Sequence, residues 1–303
     1  MYNKKIVLTL IIIIASYLVF FIISAGLVTK NLKNLYRTNV AEGSVIAPYY
    51  SQDVFFKPTD IISATSSTTT VNIKNSTQRL PIIMYHYVDL TKAADDLIKV
   101  NLTINPTLFE NQLKTLRDAH YTTFFVRDIP SLLKESNNSK AKNIILTFDD
   151  GYEDFYKVAL PLLKKYQIKS TIYVIDFYLN KKGYLTDAEV KELIDSGLVE
   201  IGSHTLDHPY LAKISYAQMY KEVFESKKDL EKKFSIPIQT FAYPYGSFNE
   251  KVVEQVKKAG YLAAVSVISG TRQSNDNLFY LSRIRAGVFE GKDMLNILTN
   301  NKK

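Results

Sequence analysis

Ile144-Ile145-Leu146-Thr147-Phe148-Asp149-Asp150-Gly151 is the stretch that decides the fold. Its first five residues form an apolar run of strand length, suited to a strand covered on both faces as in a parallel sheet. The run stops abruptly at two adjacent carboxylates and a glycine. Neighbouring carboxylates repel each other when both are buried and ionised, so a buried pair needs a stabilising partner. A divalent cation supplies one, binding one carboxylate and leaving the other to act as a base. An exposed acidic turn is the plain alternative for Asp149-Asp150-Gly151 taken alone.

Outward from this stretch the layout repeats. Apolar runs at Ile82–Tyr85, Thr171–Ile175, Leu198–Ile201, Ile238–Phe241 and Leu262–Val267 predict further buried strands. Between them Thr107–Glu110, Thr186–Glu189, Ser215–Gln218 and Ser247–Glu250 match the capping box, in which a hydroxyl and a Glu or Gln three residues on satisfy the free amides of a helix start. Gly197 and Gly260 fall where those helices should end. Strands alternating with helices predict an α/β fold with a largely parallel sheet, either a barrel or doubly wound. No internal repeat is visible.

In such folds the carboxyl ends of the strands form the functional face. Four predicted strands deliver polar groups there. Asp149 and Asp150 follow the first, His204-Thr205-Leu206-Asp207-His208-Pro209 follows Leu198–Ile201, Tyr243-Pro244-Tyr245-Gly246 follows Ile238–Phe241, and His86 follows Ile82–Tyr85. His204 and His208 are four apart, close enough to bind one metal from a tight loop or a helical turn. Surface histidines explain many such pairs, yet the chain has only four His and two of them stand here. Asp150, His204 and His208 would form a two-His, one-carboxylate site with open positions, the pattern of a catalytic rather than a structural metal centre. Tyr243–Gly246 reads first as a rigid turn, with the Tyr245 backbone N–H as a possible donor to a developing oxyanion. His120 falls where a helix stops and is expected on the surface with no role in the site.

Composition narrows the class. The 303 residues are 46% hydrophobic and contain no Cys, so thiolate sites and disulfides are excluded and any metal must be held by His and carboxylates. The net charge is +8, but residues 1–80 hold eight Lys and Arg against three acidic residues, which is +5 of the total and leaves +3 for residues 81–303. The excess lies beside an apolar segment, where basic residues meet anionic headgroups, and no basic stripe with interleaved aromatics points to nucleic acid. Residues 6–28, Ile6 to Val28, are uncharged throughout and long enough to span a bilayer core of about 30 Å. The expected organisation is a short tail at 1–5, a transmembrane anchor at 6–28 contacting the lipid bilayer, a polar stalk at 29–80 that includes Ser63–Thr70, and a catalytic domain at 81–303. Basic residues flank both ends of the anchor almost equally, so the positive-inside count leaves orientation open. Oligomeric state is not indicated.

Thr147-Phe148-Asp149-Asp150-Gly151 and His204-Thr205-Leu206-Asp207-His208-Pro209 together resemble the two leading motifs of the polysaccharide deacetylase family, over roughly residues 81–290. The resemblance implies a distorted (β/α) barrel. It also implies that Asp149 is the general base, that Asp150, His204 and His208 bind one divalent metal, and that the Tyr245 amide serves the oxyanion. Two departures matter. Ala242 stands where many members have the Arg that orients the base, and Arg283 is the candidate replacement. No His follows His208, whereas many members take the general acid from a C-terminal His. The circularly permuted poly-N-acetylglucosamine deacetylase branch takes it instead from a Met-Tyr-His motif, which Met84-Tyr85-His86 matches. A packed strand-end histidine is the alternative for His86. The chain lacks Trp, so the sugar platform found in some members must differ.

The expected activity is removal of N-acetyl groups from N-acetylglucosamine residues of an extracellular or cell-wall polysaccharide, at the cell membrane with the domain outside. Asp149 and protonated His86 are expected to flank the cation from opposite sides. Zinc suits the donor set, although nickel, cobalt, iron or manganese also fit it. Exopolysaccharide of the biofilm type and peptidoglycan both remain as polymers, and a glycan-binding module on an inactive scaffold is the rival from another class. A phosphohydrolase with an acidic loop is disfavoured, because residue 151 is Gly and the two His stay unexplained.

Overall fold

The computed structural model describes residues 77–92, 97–134, 142–285 and 287–299, all of which lie in the unit Phe56–Lys303. The expected anchor at 6–28 and the stretch Ser63–Thr70 fall outside the described residues. Among the described residues no helix is long and apolar enough to cross a membrane.

Eight parallel strands build the fold: β1 Ile82–Tyr85, β2 Thr122–Phe124, β3 Asn143–Phe148, β4 Ser170–Val174, β5 Val199–Ser203, β6 Thr240–Ala242, β7 Ala263–Ser269 and β8 Leu281–Arg283. Seven of them run β1-β3-β4-β5-β6-β7-β8 side by side. The ring then nearly closes on itself. Ile284 bridges Ile83 in parallel, with Ile284 N–H donating to Ile82 O at 2.8 Å and Met84 N–H to Ile284 O at 2.9 Å. The sheet is thus a barrel rather than doubly wound. Its distortion is local: β2 pairs with residues 143–145 of β3, while β4 pairs with Thr147 and Phe148 along the same edge. Backbone pairing reaches back to Gln78–Arg79, which lies antiparallel to Arg272–Gln273.

The predicted strands appear with ends shifted by no more than two residues, and Ile82–Tyr85 appears unshifted. β2 and β8 carry no predicted run, because three-residue strands give too little pattern to read. β1 and β4–β6 are buried along their whole length, as expected where helices cover one face and the barrel interior the other. Ile82, Ile145, Tyr173, Ala263, Val265 and Leu281 pack together from different strands to fill that interior. The Tyr173 ring presses so closely on β5 that a Cβ at residue 202 would lie 2.5 Å from it, which accounts for Gly202.

Two of the four predicted helix starts are correct. Thr186 and Ser215 each cap reciprocally with the residue three positions on. The helix Pro106–Asp118 instead starts from Asn105, whose side chain accepts from Thr107 N–H, with Pro106 in the first turn where its missing donor costs nothing. The helix Glu250–Lys258 starts from Asn249, and Ser247 Oγ accepts from Ala212 N–H instead. Gly197 and Gly260 end their helices with φ of +68° and +80°.

Candidate active site

Every residue singled out on the four strand ends lies at the carboxyl end of the barrel. The backbone there is held in conformations that L-residues disfavour. Four of the eight non-glycine residues with positive φ among those described are Asp150 (+78°), Thr205 (+70°), His208 (+58°) and Tyr245 (+57°). Such positions cost about 1–3 kcal/mol each and persist only when the surroundings over-determine them. The ladder does so here. Asp149 N–H donates to Tyr85 O, His204 N–H to Val174 O, and Leu185 N–H to Gly151 O, all at 2.9–3.0 Å.

Three donor atoms converge. Asp150 Oδ1 lies 3.4 Å from His204 Nε2 and 3.3 Å from His208 Nε2, and the two nitrogens are 3.1 Å apart. Asp150 and His204 are buried, at 6% and 2% exposure. Asp150 Oδ1 nevertheless has no hydrogen-bond partner, since the nearest imidazole nitrogens lie beyond good hydrogen-bond length. His204 Nδ1 is 2.8 Å from Ala242 O, a contact that only Nδ1–H can make, so Nε2 presents a bare lone pair. Donors about 2.0–2.2 Å from a tetrahedral zinc stand about 3.3–3.6 Å from one another. The spacing, the orphaned buried oxygen and the fixed tautomer all suit a cation held by Asp150, His204 and His208.

Asp149 sits beside this cluster under tight control. Arg283, at the end of β8 and 2% exposed, grips it with both arms: Nη1 donates to Oδ1 at 2.8 Å and Nη2 to Oδ2 at 2.7 Å. Arg283 Nη1 also donates to Thr147 Oγ1 and Nε to Ser266 O. Burial works to raise the Asp149 carboxyl, and the guanidinium overcomes it, leaving the group below its usual range. The guanidinium thus arrives from β8, while Ala242 on β6 gives only its carbonyl, to His204.

His86 Nε2 lies 4.0 Å from Asp149 Oδ2. It stands beside Asp149, not across the donor cluster from it as the sequence suggested. Burial also pushes its imidazole down to about 4 against the pull of Asp150 and Asp149, so it is neutral at pH 7 rather than protonated. Tyr245 is 37% exposed, and its ring meets that of His208 edge-to-face with centres 4.4 Å apart and stacks on Tyr210 at 4.1 Å and 10°. A second aromatic run, Tyr87, Tyr152, Tyr184 and Tyr178, stacks and abuts along the other loops of this face. Neither stacked group was apparent from sequence, where tyrosines within, beside or beyond a motif look like any of the 21 in the chain. His120 is exposed at the end of the helix Pro106–Asp118 and takes no part in the site.

Known proteins resemble this chain in sequence and fold. The family described as polysaccharide deacetylase matches residues 136–264. YxkH of Bacillus subtilis, which bears the same family name, is 32% identical over 207 residues, covering 68% of this chain and 71% of the relative. The chain belongs to the polysaccharide deacetylase family. A Staphylococcus aureus member named poly-β-1,6-N-acetyl-D-glucosamine N-deacetylase is 30% identical over 61% of this chain and 68% of its own. Among solved structures, the Streptococcus pyogenes deacetylase PplD in complex with acetate superposes with a TM-score of 0.68 at 30% identity, over 75% of this chain and 100% of that one. IcaB from Ammonifex degensii shares the fold, with a TM-score of 0.62 at 21% identity over 73% of this chain and 96% of that one. In this polysaccharide deacetylase the 136–264 match takes in the candidate metal donors, Asp149 and Tyr245, but stops short of His86 and Arg283.

Proposed function

We propose that this polysaccharide deacetylase is a divalent-metal-dependent hydrolase that removes N-acetyl groups from N-acetylglucosamine units of an extracellular or cell-wall polysaccharide and releases acetate. The observation that carries it is the convergence of Asp150, His204 and His208 within 3.1–3.4 Å beside an ionised Asp149. Zinc is the metal this donor set suits, and when bound it would act as a Lewis acid on the acetamide carbonyl and on a water. Asp149 takes a proton from the attacking water, with Arg283 holding both of its oxygens in place. Oxygen adds to the acetamide carbon, and the Tyr245 N–H serves the oxyanion that forms. The C–N bond breaks only as the nitrogen gains a proton, since an amide anion is a very poor leaving group. Because His86 starts neutral, the proton it delivers is the one removed from water, passed from Asp149 Oδ2 across the short gap to Nε2. Sugar amine and acetic acid then account for every atom of substrate and water.

The S. aureus relative named for poly-β-1,6-N-acetyl-D-glucosamine supports an exopolysaccharide substrate of the biofilm type. The uncharged run 6–28 supports attachment to the cell membrane, and an exopolysaccharide substrate calls for the barrel to lie outside. The test is acetate release from poly-N-acetylglucosamine and from peptidoglycan by the full chain, with and without chelator. Chelator-sensitive release from the first is expected. Release that survives complete metal removal would overturn the metal assignment, and release from peptidoglycan alone would overturn the exopolysaccharide substrate in favour of the cell wall.

A further inference from the structure

The two His ligands are joined by a loop that should not hold its shape unaided. Thr205 and His208 both adopt left-handed backbone, at φ +70° and +58°, and neither is a glycine. The loop is gripped from two sides. On one side its carbonyls are taken by the chain leaving β4: Asp176 N–H donates to Thr205 O at 3.1 Å and Phe177 N–H to Leu206 O at 3.0 Å. On the other side both central amides end on one side chain. Leu206 N–H and Asp207 N–H donate to Glu222 Oε2 at 2.9 and 3.1 Å.

Glu222 lies in the π-helical turn Lys221–Glu225, which separates the helices Tyr216–Tyr220 and Ser226–Phe234. Such turns interrupt a helix at some cost in regularity and occur mostly where they place a functional group. This one places two. Ser226, just past it, donates its hydroxyl to Glu222 O at 2.6 Å and lies 2.9 Å from Ser203 Oγ, the hydroxyl that accepts from Thr205 N–H. The same helical kink therefore anchors the loop before its first His and in its middle.

We infer that Glu222 is a positioning residue for the metal site, setting the spacing of His204 and His208 through the backbone between them; this rests on the metal reading above. Losing its carboxylate leaves two loop amides without acceptors. The strained positions at Thr205 and His208 then relax toward ordinary backbone, and the imidazole nitrogens separate.

The test is calorimetric titration of Zn²⁺ into the full chain, purified in detergent and stripped of metal, with the melting temperature of the stripped protein recorded beside it. Glu222→Ala should weaken zinc binding about 10–100-fold, the usual cost of losing a group that orients a ligand. Glu222→Gln keeps an oxygen that can accept both amides and should stay within roughly threefold of wild type. Glu222→Asp keeps the charge but not the reach, and should weaken binding as Ala does; it decides the matter against Gln if the Ala variant fails to fold. Ala or Asp binding zinc as wild type does, or Gln binding as weakly as they do, overturns the proposal. A wild-type chain that takes up no zinc removes the metal reading and this one with it, whereas wild-type binding with an equally tight Ala variant removes this one alone.

Discussion

Two carboxylates are buried inside the same barrel, near opposite ends, and their surroundings differ in kind. Glu200, near the amino ends of the strands, is 3% exposed, and both its oxygens are closed off. The Thr171 hydroxyl and Arg127 N–H donate to Oε2, and the Thr240 hydroxyl to Oε1. Burial dominates, and its carboxyl is raised despite those donors. Asp150, at the carboxyl ends, is buried almost as deeply, but Oδ1 has no hydrogen bond and faces two imidazole nitrogens. Burial pulls Asp150 the same way, yet the imidazoles, when they carry protons in place of a cation, hold it well below the carboxylate range. A buried acid that serves the fold is sealed by neutral donors. One reserved for a cation is left bare among other bare donors, on backbone that is itself strained.

The comparison is broken most forcefully at the carboxyl end. Asp149→Asn keeps the shape and removes the base, and acetate release should fall about 10²–10⁴-fold while zinc uptake stays, since Asp149 is not among the three donors. His204→Ala should reverse that pattern, weakening zinc more than about 100-fold as measured by metal content after dialysis. Should Glu200→Gln match either effect, the division between the two ends would be wrong.

These assignments were legible in the sequence to different depths. Asp149, Asp150, His204 and His208 follow strands long enough to read, and so the face they share was predictable from pattern alone. The barrel closure was not, since it depends on β8 and the single bridge from Ile284 to Ile83. Arg283 could be named as a candidate partner of Asp149 only through the family resemblance, because the contact spans 134 residues and no local pattern records it. Glu222 gave no sign at all. A glutamate in a charged helical stretch has the same local pattern whether it faces solvent or caps two distant amides, and the π-turn that aims it is invisible to a 3.6-residue period. That His86 reaches this face was foreseen, but its place beside Asp149 and its protonation were not, because both are properties of the packed barrel.

Between the extremes stands Arg283→Met, which leaves Asp149 buried and unpaired. Breaking a buried pair in this way costs about 3–5 kcal/mol, and a domain of this size loses ~2–4 °C per kcal/mol, so a melting temperature lower by about 6–20 °C is expected at pH 7. The sign with pH follows from the depressed carboxyl. Its stabilising contribution is present above the ordinary carboxylate range and is lost as pH falls through the lower folded value. The gap between wild type and variant should therefore narrow on acidification, and a gap that widens instead would show that the guanidinium acts by packing alone.

Glu200→Gln should produce the smallest effect, and one of opposite sign. Its folded carboxyl is raised, so below the ordinary range both folded and unfolded chains are protonated and ionisation carries no penalty. As pH rises past that range the unfolded chain ionises first, and the folded state loses stability until its own carboxyl ionises too. Gln cannot ionise, yet its carbonyl can accept from Arg127 N–H and Thr171, and its amide can donate to Thr240 once that hydroxyl turns. The variant should thus melt close to wild type at pH 4 and about 2–4 °C higher at pH 7, the shift that ~1 kcal/mol gives in a domain of this size. Thermal melts across that range decide it. A variant less stable than wild type at pH 7 would mean that the charge of Glu200 is wanted where it is, and the two ends of the barrel would then differ in degree only.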